Sequence, residues 1–340
     1  MSSPVSQCVS YAELLRITNA GFWASRALSA ALELRVLDAI DERNKSAYDL
    51  SAKLGVNQRG LEVLLRFLHA WGLIDVAEDG GVMRTDRTAL LDSSDGVCRE
   101  ELLVANRVWR SFEDLTSKVV SGPETDSSEF FESLDHSELV GFLNTMDYQG
   151  RRAAEIIATT VNLQHCRLLL DVGCGLGTYS ISLLNRNPHL RAVLLDSPRV
   201  IDLARPHMRR VGLENRATLV AADFWTTQFM QPADVVLFSR ILHDWSDEQA
   251  FQLVRRLVKY IPIGGQVLVH EEIIENARAP ELWPVLMDLF LFAALGCGKT
   301  RTVEELTRLL LRCGCSVKHM HRIDNRTFLL VASKHCNESE

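Results

Sequence analysis

The first strongly periodic stretch runs from Tyr11 to Leu34, where Leu14, Ile17, Ala20, Trp23, Ala27, Ala30 and Leu34 recur near helical spacing. Asp49 to Asn57 followed by Gln58 to Trp71 reads as helix, glycine turn, helix, with Asn57 placed to cap the second. Two short apolar runs, Leu73–Val76 and Val82–Thr85, flank Asp79-Gly80-Gly81 and predict a hairpin. Helix-turn-helix plus hairpin is a winged helix. From Glu100 to Val161 the pattern is mostly helical, interrupted at Ser121–Ser128. It then changes character. Apolar runs over Leu168–Val172, Arg191–Asp196, Ala217–Ala222, Ala233–Phe238 and Gln266–Ile274 alternate with helical stretches, which predicts an α/β unit built on a mostly parallel sheet. The expected division is a winged-helix domain over 1–98 and an α/β domain over 99–340, with a helical connector to about residue 162.

The first of those runs ends in Asp171-Val-Gly173-Cys-Gly175-Leu-Gly177. Alternating glycines permit a tight turn and close approach of a ligand to the backbone, and Thr178 to Asn187 resumes helical spacing. Strand, glycine loop and helix together predict a nucleotide-type site at the carboxyl end of a Rossmann-like sheet. The spacing is G-x-G-x-G rather than the G-x-G-x-x-G of dinucleotide binders, which argues against a nicotinamide dehydrogenase. Asp196 ends the second strand, where an acid is placed to accept from ribose hydroxyls. Asp223 ends the third, placed to accept from an adenine amino group while Phe224 packs on the ring. Each acid alone reads equally as a helix cap. Their recurrence at successive strand tips favours a ligand.

Composition narrows the class. The chain has 340 residues, 47% of them hydrophobic, enough for two cores. A net charge of −7 disfavours nucleic acid as partner, and the second helix of the winged module carries only Arg59 and Arg66 against Glu62. A basic recognition helix, the hallmark of a non-catalytic regulator, is absent. No secretory signal is visible, and the most apolar helix, Leu282 to Leu295, is too short for a bilayer and contains Asp288, so no membrane partner is expected. Eight cysteines without a C-x-x-C pair read as reduced thiols of a cytoplasmic protein, with Cys313-Gly-Cys315 packed beside a turn.

Asp171-Val-Gly-Cys-Gly-Leu-Gly, Asp196-Ser-Pro, Asp223-Phe and Arg240-Ile-Leu-His243-Asp-Trp-Ser-Asp-Glu resemble the S-adenosylmethionine-dependent small-molecule O-methyltransferases, the group of the caffeic acid, acetylserotonin, phenazine and polyketide enzymes. The glycine loop is common to class I methyltransferases. The His-Asp-Trp segment is specific to this group. The resemblance spans nearly the whole chain. It implies S-adenosyl-L-methionine as co-substrate, held by Gly173, Gly175, Asp196, Asp223, Phe224 and Arg240. No metal is expected, since His270, Glu271 and Glu272 are successive residues and cannot all converge. The resemblance also implies a seven-stranded sheet with a terminal antiparallel strand, since Ser316–His321 and Arg326–Ala332 resemble a reversed ending. In such enzymes the winged module makes a homodimer and closes the partner's substrate pocket; the apolar Phe22, Trp23, Leu28, Leu32 and Leu34 exceed what a small domain needs for itself. Phe131 and Met146 resemble segments lining the pocket for a small-molecule acceptor, with Asp288 a further lining candidate; aromatic and methionine residues at helical spacing read equally as core.

The chemistry is expected at His243, just beyond the fourth strand. A sulfonium methyl needs no activation, so the protein must align the acceptor and take its proton. An imidazole with pKa near 6.5 can deprotonate a hydroxyl at neutral pH. The alternative is a histidine that merely begins the next helix. Glu271 aligns with the acid that orients the family's histidine, Glu272 is expected on the other face by strand alternation, and His270 away from Glu271. Arg240 sits about one turn before His243, facing the cofactor or serving as a surface cap. In Gly298-Lys299-Thr300-Arg301-Thr302, Thr300 stands where the family often has a second acid, which leaves carbon or nitrogen methylation open as a second reading.

Overall fold

The computed structural model describes residues 11–40, 46–88, 108–122, 127–228, 232–276, 278 and 281–335, with side chains from residue 21 onward. The chain divides into compact units of residues 1–107 and 108–340, and the expected boundary near residue 98 lies outside the described residues.

The first unit contains α1 (Tyr11–Glu33), α2 (Val36–Ala39), α3 (Ala47–Leu54), α4 (Gln58–Ala70), β1 (Ile74–Val76) and β2 (Val82–Arg84). Ser46 and Asp49 form a capping box at α3, Gly55 ends it at φ 66°, and the Asn57 side chain accepts from Gly60 N–H to start α4. Leu61, Leu65 and Leu68 of α4 join Leu28, Leu32, Leu37, Leu50 and Ile74 in one core. Leu28 and Leu32 are thus spent internally, while Phe22, Trp23 and Leu34 stay exposed at 45%, 63% and 42%. The outer face of α4 holds no free cationic stripe: Arg59 and Arg66 bracket Glu62 at 3.7 and 3.9 Å.

The second unit opens with helices, α5 (Leu115–Ser121), α6 (Ser127–Glu132) and the long α7 (His136–Thr160), which starts at an Asp135–Glu138 capping box. Then come β3 (Leu168–Val172), α8 (Thr178–Arg186), β4 (Arg191–Asp196), α9 (Pro198–Arg210), β5 (Ala217–Ala221), β6 (Val235–Ser239), α10 (Asp247–Val258), β7 (Gln266–Ile274), α11 (Leu282–Phe290), β8 (Arg301–Thr302), α12 (Val303–Arg312), β9 (Cys315–Arg322) and β10 (Thr327–Lys334). The main sheet runs β5-β4-β3-β6-β7-β10-β9, with the two-residue β8 beside β7. Strands β3 to β7 are parallel, and the order reverses between β3 and β6, where open α/β sheets bind ligands. Val235 to Phe238 are all buried, which is why β6 reads as an unbroken apolar run rather than an alternating one.

As expected, one strand at the end of the chain is reversed: β10 inserts between β7 and β9, antiparallel to both, so β9 runs with the parallel strands. One detail differs from the sequence expectation. The apolar segment Leu282–Leu295 is α-helical only to Phe290 and continues as a π-helical turn over Leu291–Leu295. Among the described residues no helix is long and apolar enough to cross a membrane. Cys313 and Cys315 are buried and flank Gly314 at φ 72°.

Candidate active site

The tips of β3, β4 and β5 build one half of the site. Gly173, Gly175 and Gly177 all take positive φ, at 65°, 54° and 85°. A Cβ on Gly173 would lie 2.3 Å from Ile241 Cδ1, so the loop passes close against the chain after β6. Gly173 and Cys174 N–H donate to the Leu195 carbonyl, tying the loop to β4. Asp196 Oδ2 accepts from Gly175 N–H at 2.9 Å and Oδ1 from Ser197 N–H at 2.8 Å. Desolvation raises its carboxyl to about 6 against the pull of those two amides. Asp223 is exposed, its Oδ1 accepting from Trp225 N–H at 2.8 Å, and Phe224 lies half-buried with its ring 5.8 Å from Trp245, edge to face. Asp171 does not reach the surface. It is buried, accepts from the Ser180 hydroxyl at 2.6 Å, and is lifted by burial to about 7.

Two members of this half were not singled out by the sequence, one on α7 and one in the turn after β5. Asp147, buried on α7, accepts from the Thr178 hydroxyl at 2.6 Å and from Arg151 at 2.8 Å, so α7 pins the first residue of α8. Trp225 stands edge-on to Trp245 at 5.0 Å and extends the aromatic wall begun by Phe224. Phe131 packs with Phe142 in the cluster that holds Leu143 and Leu176 of the glycine loop. Met146 is half-buried on α7 beside Asp147. Asp288 is half-buried on α11 and accepts from Thr300 N–H at 2.7 Å.

The tips of β6 and β7 build the other half. After Ser239 the chain turns sharply at Arg240, φ 57°, with its N–H donating to the His270 carbonyl, and enters a 3₁₀ turn over Leu242–Asp244. No helix joins Arg240 to His243, and Arg240 is no surface cap: its guanidinium is largely buried, 3.4 Å from Glu272 Oε1, and donates to Gln149 Oε1 at 3.3 Å. The turn is clamped from below. Arg301 donates to the carbonyls of Leu242 and Trp245 at 2.6 and 2.8 Å, and Lys299 N–H to that of His243 at 2.7 Å. Gly298 is required there, because a Cβ would meet the His243 carbonyl oxygen at 2.9 Å and Leu291 Cβ at 3.0 Å.

His243 is buried, with Nδ1 3.0 Å from Glu271 Oε2 and 3.5 Å from Glu272 Oε2, and Nε2 3.4 Å from Asp244 Oδ1. The Nδ1 contacts are close charge contacts without hydrogen-bond alignment. Glu271 Oε1 is fixed by Ile241 and Leu242 N–H at 3.1 and 2.8 Å. Burial opposes charge on the imidazole, but Glu271, Asp244 and Glu272 outweigh it and lift His243 to about 9. Burial raises Glu271 despite the nearby imidazole, and raises Asp244 to about 7. Glu272 is held low in spite of burial by Arg240 and His243. His270 takes another course: its Nδ1 is 2.9 Å from Ser239 Oγ, and burial pushes it down to about 4.

Glu272 therefore does not face away from Glu271. Beyond the Ser239–His270 pair β6 has ended, so residues 271 and 272 border a turn on that side while still pairing with β10 on the other. A glutamate arm from either face reaches over that free edge. His243, Glu271 and Glu272 each offer a ligand atom within 4.8 Å of the others, close enough to share a cation, although one oxygen of each carboxylate is already engaged by amides or by Arg240.

Residues 129–316 match the O-methyltransferase domain and residues 17–91 the O-methyltransferase dimerisation domain. The chain belongs to the O-methyltransferase family. It is 28% identical over 304 residues to 3-hydroxy-5-methyl-1-naphthoate 3-O-methyltransferase of Streptomyces sahachiroi, covering 87% of each chain. It is 26% identical to phenazine-1-carboxylate N-methyltransferase of Pseudomonas aeruginosa, covering 92% of this chain and 95% of that one. Among solved structures, an O-methyltransferase from neocarzinostatin biosynthesis, in complex with S-adenosylmethionine and 2-hydroxy-5-methyl naphthoic acid, superposes with a TM-score of 0.78 at 26% identity, covering 91% and 95%.

Proposed function

We propose that this O-methyltransferase family member transfers a methyl group from S-adenosylmethionine to a hydroxyl of an aromatic or enolic small molecule, with His243 as general base. Bound in the crevice, S-adenosylmethionine supplies an electrophilic methyl group on a sulfonium. The residues present suit it: two positive-φ glycines that bring backbone close to a ligand, an acid at the β4 tip, an exposed acid at the β5 tip and an aromatic wall beside it. Asp196 would take the ribose hydroxyls, Asp223 and Phe224 the adenine. Arg240 faces Glu272, so its assignment to the cofactor rests on the resemblance alone.

The observation that carries the base role is the Glu271 bridge. One oxygen is locked by two backbone amides while the other lies 3.0 Å from His243 Nδ1, which puts a fixed carboxylate beside the ring to support the imidazolium formed when the acceptor's proton is taken. Phe131, Met146 and Asp288 remain the candidates for the acceptor's surroundings. The exposed Phe22, Trp23 and Leu34 of a dimerisation-type domain support a homodimer, and the reduced thiols of Cys166, Cys174 and Cys297 suit a cytoplasmic setting.

His243→Ala is expected to lower turnover by roughly 10²–10⁴ while S-adenosylmethionine affinity holds, since only proton removal is lost. Screening phenols, enols and amines for methylated product, then assaying the variant on the best acceptor, tests both points. Retained turnover overturns the base role. Nitrogen methylation is the second reading, and the raised imidazole favours it: at about 9 the ring already carries its proton at neutral pH, which an amine acceptor tolerates better than a phenol.

A further inference from the structure

We propose that Glu272 is a second positioning residue for His243: it cancels the buried charge of Arg240 beside the ring and, with Glu271, encloses Nδ1 between two carboxylates. This rests on the reading of His243 as the base. Glu272 is 4% exposed in its side chain and uses its two oxygens differently, Oε1 at 3.4 Å from Arg240 Nη2 and Oε2 at 3.5 Å from His243 Nδ1. Oε2 has no other partner, and neither has Glu271 Oε2. Both oxygens therefore lie within 3.5 Å of one nitrogen, as charge contacts on either side of it.

Charge counting gives the reason for two acids. Buried charges are tolerated only when compensated. Arg240 turns in at its left-handed backbone, donates to Gln149, and buries its guanidinium among Glu272, Glu271 and Asp244. With Glu272 present, Arg240 and Glu272 sum to zero, and Glu271 is left to stabilise the imidazolium formed on proton transfer. Without Glu272, Glu271 and Asp244 would have to answer the guanidinium as well as the imidazolium, and the charge on the ring would be less well supported. The other groups facing the ring are Asp244, which favours its charge, and His270, kept neutral by burial; Arg301 acts on Glu271 from the clamp. The segment Gly298–Thr300 packs on the His243 backbone yet brings no carboxylate: the Thr300 hydroxyl is buried and unpartnered. The second negative charge comes instead from the residue after Glu271, which the free edge beyond β6 lets reach the ring from the opposite face of β7.

The test is an NMR titration of the His243 ring in the whole, acceptor-free protein, its signal assigned by its loss in His243→Asn. In Glu272→Gln the ring's midpoint should fall by at least about one pH unit, a tenfold weaker hold on the proton. Glu272→Asp keeps the charge but withdraws it by one methylene, and should shift the midpoint less in the same direction; it serves if the glutamine variant does not fold. A midpoint unmoved in either variant overturns the proposal. The base reading stands or falls separately, on the turnover of His243→Ala, so an unmoved midpoint together with that loss removes Glu272 alone.

Discussion

The two halves of the crevice handle buried acid in opposite ways. At the tips of β3 and β4, Asp171 and Asp196 are answered by neutral donors, a hydroxyl and backbone amides, and both carboxyls rise, to about 7 and about 6. At the tips of β6 and β7, Glu271, Glu272 and Asp244 meet full charges on Arg240, Arg301 and His243, and the imidazole is lifted to about 9. Neutral donors fix the geometry of these acids but do not offset the cost of burying their charge, so their proton affinity rises. A charged cluster controls where a proton resides. The first half is suited to holding a ligand with hydroxyls and an amine; the second is suited to moving a proton.

The largest expected effect separates the halves directly. His243→Ala is expected to lose turnover and keep cofactor binding, whereas Asp196→Ala should fold normally and lose about 1–3 kcal/mol of S-adenosylmethionine affinity, measured by calorimetry. If Asp196→Ala bound the cofactor as tightly as wild type, the first half would be scaffold and not ligand site. Gly173→Ala should blur the division. A methyl at φ 65° meets Ile241, whose N–H is held by Glu271, so strain of about 1–3 kcal/mol would reach the catalytic turn from the cofactor loop. Thermal melts and turnover should both decline, and intact turnover in a variant with weakened binding would show the halves to be uncoupled.

Two pH effects are smaller and belong to the charged half. Turnover on a hydroxyl acceptor should climb toward about pH 9 as the imidazole loses its proton; a flat profile from pH 5 to 9 contradicts the base role. Stability should move the other way. The folded pKa of His243 lies above its unfolded value near 6.5, so its contribution is complete below about 6.5 and is lost as pH rises through about 9. The melting temperature of the wild type should fall across that window more steeply than that of His243→Ala.

How well the sequence could be read follows the same division. The positive-φ glycines, the acid at the β4 tip and the Asn57 cap are local devices, each a residue type answering a backbone need within a few positions. Glu271 beside His243 was legible because neighbouring parallel strands put their tips together. Alternation sets the face from which Glu272 leaves β7 but not where its carboxylate ends, and past the end of β6 its long side chain still reaches His243. Arg240 was misread because helical spacing was carried into a turn with a left-handed residue. Asp147 and Arg301 act across the fold on groups 31 and 59 residues away, and no local pattern marks such partners.

By itself, then, the sequence determined the order of elements, the winged module, the parallel sheet and the acids and histidine at its tips, since periodicity and turn chemistry are short-range. Only the tertiary structure decided which charges meet. Where β6 stops, which way β10 runs and how the segment 298–301 clamps the 3₁₀ turn are set by packing between distant segments. The proton affinity of His243 depends on the sum of those encounters in a buried, weakly screened space.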